Sequence, residues 1–316
     1  MRSLIVAAAL AAAACGPAQA AQPYHAPRTA YGQPDLQGFW TNMSLTRLER
    51  AAGEPLSFAT DAEARAYAAR RAAAWRAGEA EGLGQGVSEW HATTDVARIE
   101  GRLRTSWIVS PADGRLPWTP AGKARFDAAN AAQAGEAADG PEQRTVLDRC
   151  LVGGGGAPGP PLLNPNSAGG RQIVQTRDAV AILSEMNHEL RIVRLGAQHL
   201  PPQVRPWMGD SIGRWEGETL VVETVGFHPL EGYRGQLMLS PDAKVTERFT
   251  RLSKGQILYA FTVDDPANYT AVWKGEMPLN ADAGPLYEFA CHEGDRDLEE
   301  FLAAARRRDA AAAQGR

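Results

Sequence analysis

The chain has 316 residues, with 33 Lys+Arg against 37 Asp+Glu and a formal charge of −4. That length supports a sizeable core in one or two domains. The mild acidity excludes a general binder of nucleic acid or anionic membrane, since both need a basic field, and no internal apolar run reaches the ~18 residues a membrane span needs.

Met1-Arg2 gives a positive start, Leu4 to Ala14 is unbroken apolar, and Ala18-Gln19-Ala20 supplies small residues two apart. This is the layout of a secretory signal peptide over 1–20, cut after Ala20, for a periplasmic or secreted protein. Lipoprotein processing at Cys15 is the alternative, but the bulky aliphatic residue expected three positions earlier is missing. Removal of 1–20 leaves a charge of −5 and two cysteines, Cys150 and Cys291. An even pair in an exported chain reads as one disulfide, with two buried thiols as the alternative.

Alanine divides the rest: 37 of the 56 alanines precede residue 151 and only 12 fall in 151–300. Residues 21–144 are expected to hold one strand, Leu36–Thr41, and two Ala-rich helices. The first covers 61–80 with Asp61 as cap, and the second covers 119–137, opened by Thr119-Pro120. Neither carries a wide apolar stripe, so both are expected to lie on a body built by 145–316. The Gly/Pro/Asn segment 153–168 reads as a loop; no Gly-Lys-Ser/Thr follows its glycines, so it is not a phosphate loop.

Short β-type runs follow: Ile173–Leu183, Leu190–Leu195, Asp210–Trp215, Thr219–Phe227, Lys244–Leu252, Gln256–Asp264, Tyr269–Glu276 and Pro285–His292. Met186–Glu189 is a turn or bulge, and Glu216-Gly217-Glu218 and Ser253-Lys254-Gly255 mark hairpins. About nine strands joined mostly by short turns predict a mainly β fold: an antiparallel meander, barrel- or sandwich-like, with calycin-like as the nearest description. A helix from Asp295 through Arg308, acids first and Arg306-Arg307-Arg308 late, matches the macrodipole.

Several motifs recur in one layout. They are Pro34-Asp35-Leu36-Gln37-Gly38-Phe39-Trp40, Glu185-Met186-Asn187-His188, Trp207-Met208-Gly209-Asp210-Ser211, Trp215-Glu216-Gly217, Glu247-Arg248-Phe249, Phe261 to Pro266, and Tyr287 to Gly294 with its Cys291-His292-Glu293-Gly294. Together they resemble a large family of exported bacterial proteins with a PDLxGxW … CHEG layout. The resemblance spans nearly the whole mature chain. It implies export and carries over no catalytic residue and no cofactor.

Six histidines are present. His188 lies among Glu185, Glu189 and Arg191; on a turn all four would project at one rim, with His188 as acid/base group or ligand and Glu185 orienting it. The rival is a solvated hairpin tip. If 285–292 is a strand, Glu288 and His292 share one face and Tyr287, Cys291 and Glu293 the other, and a disulfide at Cys291 would fix His292. The rival is a staple followed by a turn. Glu247 and Arg248 interrupt an apolar run, either as a paired charge inside a barrel or as a surface ion pair. Trp273, one of eight tryptophans, could wall a cavity or simply pack the core.

No HxH, HExxH or dinucleotide fingerprint occurs, so no metal or cofactor is expected; a metal would have to be assembled across strands from His188, His292 and a carboxylate. The absence of alternating βα units argues against an α/β-hydrolase. Three functions fit. The first is an acid/base enzyme (lyase, isomerase or hydrolase) on a small organic or sugar-like molecule, using Glu185, His188, Glu247, His292 and Glu293, with Arg191, Arg248, Tyr287, Glu288 and Trp273 binding. The second is a non-catalytic periplasmic barrel for an apolar or aromatic ligand. The third is a structural envelope protein. The expected partner is a small molecule, and nothing indicates the oligomeric state.

Overall fold

The computed structural model describes residues 24–78, 95–134, 139–146, 148–152, 159–164 and 169–314. The expected leader 1–20, Cys15, Trp90, His91 and the glycines 153–156 lie outside them.

Nine strands close a barrel. In chain order they are β1 (Gly38–Thr41), then β5 (Gly170–Gln175), β6 (Ala179–Ser184), β7 (Leu190–Leu195), β8 (Asp210–Glu216), β9 (Thr219–Val225), β10 (Lys244–Ser253), β11 (Gln256–Asp264) and β12 (Trp273–Ala281). The intervening strands β2 (Arg98–Ile99), β3 (Arg102–Leu103) and β4 (Ile108–Ser110) are short. The order around the barrel is β1-β5-β6-β7-β8-β9-β10-β11-β12, and β12 returns to β1. Closure removes the sheet edges that invite aggregation.

The mainly β expectation therefore resolves to a barrel and not a sandwich. Every neighbouring pair of the ring is antiparallel except β7–β8, which is parallel with Arg194 opposite Ile212. A parallel pair needs a long return. Segment 196–209, with Pro201, Pro202 and Pro206, supplies it and cannot itself join a ladder.

Three sequence-based assignments change. The run Ile173–Leu183 is two strands, β5 and β6, because the Thr176–Asp178 turn interrupts it and the Thr176 hydroxyl caps that turn through the Ala179 N–H at 3.1 Å. The last β strand is Trp273–Ala281, so 285–292 is not a strand; it lacks ladder partners and runs as an extended tail with turns. The amino-terminal region gives more than one strand: β1 pairs with both β5 and β12, and β4 pairs with β12. Those pieces are too short to show a period in sequence.

Alternation fills the interior. Val245, Glu247 and Phe249 of β10, and Ile257, Tyr259, Phe261 and Val263 of β11, are buried, while Lys244, Arg248 and Asp264 face out. Tyr259 lies at 5.0 and 5.5 Å from the Phe249 and Phe261 rings. Gly275 on β12 leaves room for Phe261, whose ring would lie 2.3 Å from a Cβ there.

The helices are peripheral. In α1 (Asp61–Gly78), the cap is Thr60 and not Asp61: Thr60 accepts the Glu63 N–H and the Glu63 carboxylate accepts the Thr60 N–H at 3.1 Å, a capping box. α1 buries Ala64 and Tyr67 in a small second cluster with Val96 and Leu103. α2 (Pro120–Ala134) is capped by Thr119, which accepts the Gly122 N–H at 2.9 Å. α3 (Asp297–Gln314) runs past Arg308, so its arginine triplet is mid-helix and not in the last turn.

Strand direction separates the barrel into two ends. The turns 176–178, 217–218 and 254–255 lie at one. The turn 185–189 and the connections 226–243 and 265–272 lie at the other, together with the approach to β5 at Gly169. The second end carries the charges described next.

Candidate functional site

Three arginines are buried here, none more than 3 % exposed: Arg171 on β5, Arg191 on β7 and Arg234 on the 226–243 connection. A buried charge is costly unless paired. In two of the three both terminal nitrogens are hydrogen-bonded.

Arg191 makes a two-pronged contact with Glu247 across the lumen, Nη1 to Oε2 at 2.5 Å and Nη2 to Oε1 at 2.9 Å. Burial works against its charge, and the Glu247 carboxylate more than restores it, so Arg191 is held above its ordinary value. The Tyr259 hydroxyl donates to Glu247 Oε1 at 2.8 Å and accepts the Leu162 N–H at 2.8 Å. Burial, and then Glu247, hold that phenol protonated. Arg171 donates to Asn42 Oδ1 at 2.6 Å and to the Gly169 and Leu163 carbonyls at 3.0 Å each. Desolvation lowers its pKa to about 10.

Arg234 is different. Its Nη1 donates to the Gly159 carbonyl at 2.9 Å and lies 3.3 Å from Glu231 Oε1, while Nη2 and Nε have no hydrogen-bond partner among the described residues. Its guanidinium lies 5.6 Å from the Phe227 ring, a cation–π contact. Glu231 is 3 % exposed, and its Oε2 also has no partner among the described residues. Desolvation raises the Glu231 carboxyl to about 7; Arg234 opposes the rise and Glu189 adds to it. Arg191 Nε and Ser184 Oγ, the latter opposite Arg171 across the β5–β6 ladder, complete a set of buried polar atoms with unused bonding capacity.

The loop bearing this pair is braced. His228 accepts the Leu230 N–H at 3.2 Å and stacks on Trp207 at 4.0 Å. Tyr233 donates to Asn130 of α2 at 2.9 Å, and Tyr269 donates to the Met238 carbonyl at 2.8 Å. Such support holds side chains in place for binding.

The rim lies beside this cluster. Glu185–Glu189 is a turn containing a short 3-10 segment, with Asn187 at φ 58° and His188 at φ 52°. Left-handed backbone at two successive non-glycine residues is strained. His188 is exposed, and its Nε2 accepts the Phe289 N–H at 2.9 Å. That bond occupies one of its two ring nitrogens. Glu185 meets His188 through the main chain, its carbonyl accepting the His188 N–H at 3.2 Å. Burial, and then Asp282, raise the Glu185 carboxyl. Cys150 and Cys291 form the disulfide, Cα–Cα 5.8 Å, and Asn187 Nδ2 reaches the Cys150 carbonyl at 3.5 Å.

The sequence-derived candidates divide accordingly. Arg191 and Glu247 reach the interior. Trp273 is fully buried core, packed on Phe261 and Tyr269. Arg248 faces outward and pairs with Glu216 at 2.9 Å. Tyr287, Glu288, His292 and Glu293 are exposed on the tail, so the two-faced strand expected there does not form and His292 is not drawn into the interior. The disulfide anchors the tail without burying that ring.

Sequence reasoning gave no role to Arg171, Glu231, Arg234 and Tyr259. Strand alternation signals Arg171 beside Ile173 and Tyr259 between Ile257 and Phe261. Glu231 and Arg234 sit on an irregular connection where no period applies. His199 was likewise given no role; its Nδ1 contacts Asp210 Oδ2 at 2.8 Å and its Nε2 contacts Glu223 Oε1 at 3.3 Å. Gly209-Asp210-Ser211-Ile212-Gly213 has the spacing of a nucleophile elbow, but Ser211 lies within β8 and its hydroxyl bonds the Thr224 hydroxyl at 2.8 Å, so no elbow forms. A surface groove lined by Arg50, Glu54, Asp113 and Arg115 shares no residue with the cluster, and its buried cation is spent on Ser106 and the Ile108 and Ala112 carbonyls.

The chain matches no protein-family model, no curated protein and no solved structure. Among the described residues no helix is long and apolar enough to cross a membrane. The barrel and the disulfide therefore define the class: a disulfide-pinned, closed nine-strand β barrel with a charged cluster inside one end.

Proposed function

We propose that this is an exported barrel that holds a small organic acid inside the end carrying Arg171, Arg191 and Arg234, the acid's carboxylate on Arg234. One observation carries the reading: a buried guanidinium with two donor nitrogens that have no partner among the described residues. Natural interiors satisfy buried donors, and a guanidinium fork suits a carboxylate. The charge balance points the same way, since three buried arginines face two buried glutamates, Glu231 and Glu247. Phe227, whose ring lies 5.6 Å from the Arg234 guanidinium, supplies apolar surface beside the donors, which favours an aromatic or aliphatic acid over a sugar. Export is supported by the leader pattern of 1–20, by the disulfide and by the family resemblance.

A second reading, an acid/base enzyme acting on the same molecule, is favoured by Glu231: a carboxyl brought to about 7 is matched to proton transfer at neutral pH. It moves the acid/base role from His188 and His292 to the barrel interior. A purely structural envelope role leaves the unused donors of Arg234 without purpose.

Calorimetric titration tests the binding reading. Benzoate is expected to bind saturably, and benzamide, its neutral isostere, at least tenfold more weakly. Arg234→Gln is expected to abolish the preference with the circular dichroism spectrum unchanged. Equal affinity for benzoate and benzamide in the wild-type protein, or no saturation by benzoate, phenylacetate or hexanoate, would overturn it whatever the variant does.

A further inference from the structure

Resting on that reading, we infer that the barrel takes up its carboxylate together with one proton, and that Glu231 carries the proton. The argument is geometric. Glu231 Oε1 and the Gly159 carbonyl share Arg234 Nη1, and among the described residues Nη2 and Nε of the same guanidinium have no partner and are left for a ligand. A ligand carboxylate on those donors lies against Glu231. Two carboxylates on one buried cation repel, and the lower-energy arrangement protonates one of them.

The remaining neighbours cannot relieve the repulsion. Arg191 faces Arg234 from β7, but its fork is filled by Glu247 of β10. Arg171 on β5 is engaged by Asn42 and two carbonyls. Glu189, on the rim turn, adds negative charge near Glu231. Tyr259 already donates to Glu247 and accepts from Leu162.

Glu231 Oε2 has no partner among the described residues. A solvent proton placed there converts a repelling oxygen into a donor, which then bonds the ligand carboxylate, and the proton count closes at one taken up per ligand bound. The ease with which burial already protonates this group supports the assignment. A glutamine at 231 would imitate the protonated form at every pH.

Calorimetry of benzoate binding in two buffers of different ionisation enthalpy reads the proton directly. Wild-type protein is expected to take up close to one proton per benzoate at pH 8.5 and close to none at pH 6, with affinity falling about tenfold per pH unit above 8. Glu231→Gln is expected to bind benzoate at pH 8.5 as tightly as wild type does at pH 6, with no proton exchange. Benzoate binding that is independent of pH and exchanges no proton in the wild type would overturn this inference and leave the binding reading standing. Absence of benzoate binding at every pH would overturn both.

Discussion

Glu247 is an acid with no exposure inside a barrel, and it survives there because Arg191 and Tyr259 meet both of its oxygens. Removing one partner strands a charge; removing both does not. Arg191→Leu is therefore expected to lower unfolding free energy in urea by about 3–5 kcal/mol, and the double variant Arg191→Leu/Glu247→Leu to recover most of it. Additive losses would show that the pair is not coupled. Glu231 makes a pH prediction. Its folded pKa is raised from 4.5 to about 7. The native state therefore keeps a proton that the unfolded chain has lost between those values, and stability falls as pH rises through that window by roughly 3 kcal/mol. Asp210 acts oppositely and in a different range: burial pushes it up, but the Leu200 N–H, His199 and Arg194 together bring it below its ordinary value, so its contribution is lost only in acid. Urea unfolding at pH 5 and pH 8 checks this, and a wild-type protein no less stable at pH 8 than at pH 5 contradicts it. At this scale the sequence marked Glu247 as a charge interrupting an apolar strand, with a surface ion pair as the alternative, and named Arg191 only as a neighbour of the 186–189 turn. Glu231 and Arg234 were invisible, since a connection has no period to break.

The elements were more legible than their contacts. Hairpins at Gly217 and Gly255, the strands β7, β8, β10 and β11, and three helices follow from pattern and turn chemistry. The tail misled because Tyr287–Glu293 alternates like a strand, while β12 and β1 already use the ladder groups such a strand would need. What orders the tail is the link to Cys150, reinforced by His188 accepting the Phe289 N–H. Closing a separation of 141 residues restrains the unfolded chain strongly. Cys150→Ser/Cys291→Ser is expected to lose roughly 4–5 kcal/mol in the chain-entropy view, with hydrogen-exchange protection falling at the Phe289 amide. Unchanged stability and unchanged protection would mean that other contacts hold the tail.

For the whole molecule, the class was readable because many short strands with brief turns have few solutions, and closure is the one that leaves no edge. Which strands meet was not readable. The parallel β7–β8 contact depends on the 196–209 return, and the closing contact of β12 with β1 spans most of the chain. These are long-range pairings that local pattern cannot encode, and they bring Arg171, Arg191, Arg234, Glu231 and Glu247 to one end. The most direct test of that end is anomalous diffraction from crystals of the protein soaked in 4-bromobenzoate. The account predicts a bromine peak inside the barrel, with the carboxylate on Arg234 Nη2 and beside Glu231 Oε2. Bromine only on the outer surface, with Arg234 bonded to ordered protein groups instead, would contradict it.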